Sequence, residues 1–71
     1  MEQELQSAVE LAEVWSAAVT KLEDEPGFVA CFSSEQEAQL YTNRVNRATS
    51  SLIALRDMNI DRCVRVTVLS D

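Results

Sequence analysis

Phe28-Val29-Ala30-Cys31-Phe32-Ser33-Ser34-Glu35-Gln36-Glu37 runs a strand straight into the start of a helix. Phe28, Ala30 and Phe32 alternate with Val29 and Cys31, and these apolar types favour a short strand over 28–32. Ser34 followed three positions on by Glu37 is a capping-box pattern, and Glu35 adds negative charge to the first turn. The spacing beyond it predicts a helix over 35–58. Ala38, Tyr41, Val45, Ala48, Leu52 and Leu55 step by three and four along one face, with Ile53 and Met58 thickening its second half. Asn59 is the expected terminator, and Arg56 complements the helix dipole near it.

Upstream, Leu5, Ala8, Ala12, Trp15, Val19 and Leu22 follow the same steps and predict a first helix over 3–24. Val9, Leu11 and Ala18 make its apolar arc wider than one packing partner needs. Pro26 disfavours helical geometry at Glu25, and Gly27 supplies the freedom for a reversal. Downstream, Val64, Val66 and Val68 alternate with Cys63, Arg65 and Thr67, which predicts a half-buried strand over 62–69. The expected fold is α/β (α+β), one domain over 1–71 in the order α-β-α-β. Two amphipathic helices pack on a two-stranded sheet; if the two strands are neighbours, the second helix is a right-handed crossover between them, though the spacing leaves parallel or antiparallel pairing open. Two strands leave two open edges and a thin core, so a homodimer is expected to complete the sheet.

With 46% apolar and 25% charged residues, the 71-residue chain has ordinary globular composition. The acidic start Met1-Glu2-Gln3-Glu4 is unlike a secretory signal and no long apolar run follows, so a cytoplasmic protein is expected, without membrane contact. Cys31 and Cys63 are expected as reduced, buried thiols. If their strands pair, geometry decides whether a bond can form.

The net charge of −6 is uneven: residues 1–35 carry a surplus of seven acids, and residues 36–71 a surplus of one base. Bulk charge therefore argues against nucleic-acid binding. Without histidine, a Gly-rich loop or a clustered ligand set, no catalytic residue, metal site or cofactor is expected, and the chain is not expected to be an enzyme.

Two surface candidates remain. Arg44 and Arg47, flanked by Asn43 and Asn46, have no acid three or four positions away, so their partners must come from elsewhere in the fold, another chain, water or a ligand. Tyr41 and Leu40 beside them make the most interface-like cluster of the chain, since aromatics and arginine anchor interfaces. The acidic corner Glu23-Asp24-Glu25 lacks the alternating ligands of a calcium loop. Placed at the carbonyl end of a helix, it would sit against the dipole and invite a basic partner.

In size and acidity the chain is similar to phage-encoded inhibitors of host defence or host enzymes. Its strand, capped helix and Val-rich closing strand look like small open reading frames of phages and mobile elements. That similarity of bulk properties implies an inhibitor or adaptor acting in a host cytoplasm. The function expected is a non-enzymatic protein–protein interaction module that occupies a partner surface. The alternatives are a nucleic-acid-associated protein using the arginines across a dimer, and a structural subunit of a larger assembly.

Overall fold

Both helices end earlier than the apolar spacing predicts, and the chain released at each end forms a strand. The computed structural model describes residues 2–69; Met1, Ser70 and Asp71, included in the 1–71 domain, lie outside the described residues. Helix α1 spans Glu2–Val14, followed by strands β1 (Ala18–Lys21) and β2 (Gly27–Cys31). Helix α2 spans Glu35–Ala48, followed by β3 (Leu52–Arg56) and β4 (Cys63–Val68). The order is therefore α-β-β-α-β-β, not α-β-α-β.

Helix α1 is stopped by a Schellman-type turn. The Ser16 N–H donates to the Glu13 carbonyl at 2.9 Å, and the Ala17 N–H donates to the Ala12 carbonyl at 3.0 Å. Ser16 holds the left-handed conformation this needs, with φ 61°. Ala12 is fully buried and Ala17 packs against the core, which supplies the apolar contact of the motif. Val19, expected on the stripe of α1, instead lies on β1.

Helix α2 begins as the sequence suggests. Ser34 is extended, with φ −147°, and its hydroxyl accepts from the Glu37 N–H at 3.2 Å. The Glu37 carboxylate is taken by the Ser33 hydroxyl. The helix ends at Thr49, whose extended backbone starts the hydroxyl-rich break Thr49-Ser50-Ser51. Leu52 and Leu55 are thus strand residues, and neither Asn59 nor Arg56 belongs to a helix end. Arg56 reaches the opposite end of α2, donating to Gln39 Oε1 at 2.7 Å and lying 3.5 Å from the Glu35 carboxylate.

The four strands form one antiparallel sheet in the order β1-β2-β4-β3. The strands read at 28–32 and 62–69 are neighbours, but α2 is no direct crossover between them: β3 adds a reversal after α2, so β4 runs antiparallel to β2. The two-stranded sheet is overturned as well. Four strands from one chain provide the sheet that dimerisation was expected to complete.

Helix α1 packs over β1 and β2, and α2 over β3 and β4. Beneath them lie Phe28, Ala30, Phe32, Val64, Val66, Leu52 and Ala54, all buried. Trp15, Phe32 and Tyr41 form an aromatic cluster with ring centroids 4.9–6.0 Å apart. Gly27 lies so close to β4 that a Cβ there would stand 2.4 Å from the Val66 carbonyl oxygen. Among the described residues the opposite sheet face carries no helix and bears Thr20, Val29, Arg65, Thr67, Ile53 and Leu55.

Cys31 and Cys63 face each other across β2 and β4, with Cα atoms 4.0 Å apart, and are joined by a disulfide. The expectation of two reduced thiols is overturned. Directly opposed residues outside a hydrogen-bonded pair bring their Cβ atoms closest, and both cysteines occupy such positions.

Candidate protein-binding surface

The outward face of α2 is built from the residues that its buried positions leave over. Ala38, Tyr41, Thr42 and Val45 turn inward, which leaves Leu40, Asn43, Arg44 and Arg47 pointing away from the sheet. Trp15, placed beside α2 by the turn that ends α1, forms the second wall. Together they line an open recess of about 500 Å³. Leu40 is 53% exposed, and Val14, 75% exposed, continues the apolar rim around Trp15 and Ser16.

Among the described residues, neither Arg44 nor Arg47 makes an ion pair or a side-chain hydrogen bond. The acids nearest in sequence, Glu35 and Glu37, are engaged by Arg56 and Ser33 at the start of α2. The two guanidinium groups are therefore free to take carboxylates in bidentate fashion, beside an indole and a leucine. Asn43 accepts from Gln39 Nε2 at 3.0 Å and stays on the recess.

Two residues expected on this surface are not available to it. Tyr41 is 0% exposed, and its hydroxyl donates to the Ala8 carbonyl at 2.6 Å. Burial pushes its pKa far above the phenol range. Tyr41 is the link between α2 and α1, not an interface anchor. Asn46 turns to the edge of β3, where its amide bonds the backbone of Ala54. Trp15 packs on the core against Phe32 and Tyr41, as its place on the apolar stripe suggests, and its remaining exposed part walls the recess.

Glu23, Asp24 and Glu25 are exposed on the turn between β1 and β2, not at a helix end. The argument from the dipole is thereby corrected. Glu25 pairs with Arg65 on the bare sheet face at 2.5 Å and lines a different recess, with Leu5, Val9 and Lys21. The acidic corner and the arginine recess are separate features.

A third recess, of about 510 Å³, opens between α1 and α2 over Ala8, Leu11, Val45 and Leu52. At its rim the Thr49 hydroxyl donates to the Glu4 carboxylate and lowers its pKa. Among the described residues no group of three or more acids or cysteines converges to hold a metal ion, and both cysteines are bridged. No helix among them is long and apolar enough to cross a membrane.

Compared with known proteins, the chain matches no family model, no curated protein and no solved structure.

Proposed function

We propose that the chain is a non-enzymatic protein-binding module that takes an acidic segment of a partner into the Trp15–Leu40–Arg44–Arg47 recess. The observation that carries the reading is the pair of guanidinium groups, unpaired among the described residues, beside the apolar walls Leu40 and Trp15 on a protein of net charge −6. A cation cluster in an acidic chain discriminates by charge: it attracts carboxylates, while the rest of the surface repels acidic partners that do not fit the recess. Trp15 and Leu40 supply the desolvated centre that such contacts need to contribute affinity. The module acts by occupying its partner's surface, as inhibitor or adaptor, and works as a homodimer.

The test is cross-linking from the recess in the native cell, with nuclease treatment, comparing the parent chain with an Arg44→Glu/Arg47→Glu variant of unchanged fold. The expected result is one stoichiometric protein, cross-linked through an acidic segment and lost in the variant. Retention of that protein by the variant, or recovery only of nucleic acid with steep salt dependence, overturns the reading.

A further inference from the structure

The two edges of the sheet are treated differently. In the β3–β4 ladder, Asp57 N–H donates to the Cys63 carbonyl, which sets Asp57, Leu55 and Ile53 toward β4 and turns the backbone of Ala54 outward. Those outward groups are closed by Asn46: its Nδ2 donates to the Ala54 carbonyl at 3.0 Å, and its Oδ1 accepts from the Ala54 N–H at 2.9 Å. A side chain of α2 thus plugs the middle of this edge, while among the described residues nothing bonds the outward backbone groups of Leu52 and Arg56 on either side.

At the other edge, Leu22 N–H donates to the Gly27 carbonyl at 3.2 Å, which sets Leu22, Thr20 and Ala18 toward β2. By the same alternation, the N–H and C=O groups of Val19 and Lys21 point away from the sheet. Among the described residues nothing bonds them. Ala18, Thr20 and Lys21 are exposed. An open edge offering two donors and two acceptors in strand geometry is a template for one kind of occupant, an extended backbone.

We propose that β1 is the dimerisation strand, pairing antiparallel with β1 of a second copy about a two-fold axis through Thr20. This deepens, and rests on, the homodimer part of the proposed function. In this register Val19 stands opposite Lys21 of the second copy and exchanges both backbone hydrogen bonds with it, and symmetry repeats the pair. Thr20 meets Thr20 of the second copy on the bare face, a favourable cross-strand pair. Glu23, Asp24 and Glu25 fall beyond the paired stretch, so acids do not oppose one another within it. The result is one eight-stranded sheet whose outer edges are both β3. Each is already plugged at its centre, Ala54, by Asn46, which blocks a continuous fifth strand there, so assembly stops at two copies and does not run on into a fibre. The self-matching register, with Val19 opposite Lys21 and Thr20 opposite Thr20, is what favours a second copy over an unrelated strand.

The test uses the purified full chain without any partner. Light scattering should report a dimer, strengthened by salt because each copy carries −6. Thr20→Cys should cross-link to its own copy on mild oxidation, since the native cysteines are already bridged, whereas Thr67→Cys on inner strand β4 should not. Val19→Pro removes an outward N–H without touching the bonds to β2, and should give a folded monomer. The Arg44→Glu/Arg47→Glu variant should remain dimeric, which separates failure of this inference from failure of the recess reading. A monomeric parent chain, or a dimer that ignores Val19→Pro and leaves Thr20→Cys uncross-linked, overturns the proposal.

Discussion

Asn46 and Ala54 are joined by a closed pair of hydrogen bonds, amide to backbone, at 3.0 and 2.9 Å. The pair docks α2 onto the edge of β3 and satisfies both outward groups of Ala54 at once. Asn46→Ala leaves them to water and to other chains. The expected loss is about 1–2 kcal/mol in denaturant unfolding, accompanied by association through β3 that the parent chain lacks.

Cys31 and Cys63 tie the two central strands at directly opposed positions. Closing a loop of this length restricts the unfolded chain, and its loss is expected to cost about 3–4 kcal/mol. A Cys31→Ser/Cys63→Ser variant should show this as a lower melting temperature. Reductant should lower that of the parent chain and leave the variant unmoved. A parent chain insensitive to reductant would show that the bridge adds nothing to stability.

Ser16 takes a left-handed conformation to end α1, at a position where glycine is the usual residue. Ser16→Gly removes the cost of that conformation and is expected to stabilise by about 0.5–1 kcal/mol, less whatever entropy glycine adds to the unfolded chain. Ser16→Val should destabilise by at least as much. Equal stability of the two variants would mean that the turn is held by its surroundings alone.

Tyr41 keeps its proton in the fold because burial disfavours the phenolate. The unfolded chain ionises near the usual value of about 10, so above that pH it binds fewer protons than the folded chain, and stability falls as pH rises. Tyr41→Phe loses the bond to Ala8 and should cost about 1 kcal/mol at neutral pH. The variant should also lose part of the alkaline decline, which unfolding curves on either side of pH 10 will show.

Local signals were legible where a residue's own chemistry forces the backbone. The alternation at Phe28–Phe32 and Val64–Val68, the cap at Ser34 and the reversal before Gly27 all stand in the structure. The two missed strands share a cause. Ala18–Lys21 and Leu52–Arg56 carry apolar residues at spacings that suit a helix and a strand alike, so periodicity could not separate them. The break at Thr49-Ser50-Ser51 was readable as a cluster of hydroxyl residues. The break at Ser16 was not, because it uses neither glycine nor proline. Of the surface, the unpaired arginines followed from the absence of acids at helical spacing. The burial of Tyr41 follows from its place on the apolar stripe of α2, while its neighbours Leu40 and Arg44 also gave it an interface reading that the structure does not support.

What the sequence by itself determined is therefore the set of faces: which residues alternate, which helix is capped and where charge accumulates. These follow from side-chain chemistry over a few neighbouring positions. Only the tertiary structure decided the strand count, the antiparallel order, the disulfide and the difference between an edge plugged at Ala54 by Asn46 and one left open at Val19 and Lys21. Each depends on residues far apart in the chain meeting in one register, and hydrogen bonds across a sheet leave no trace in local spacing.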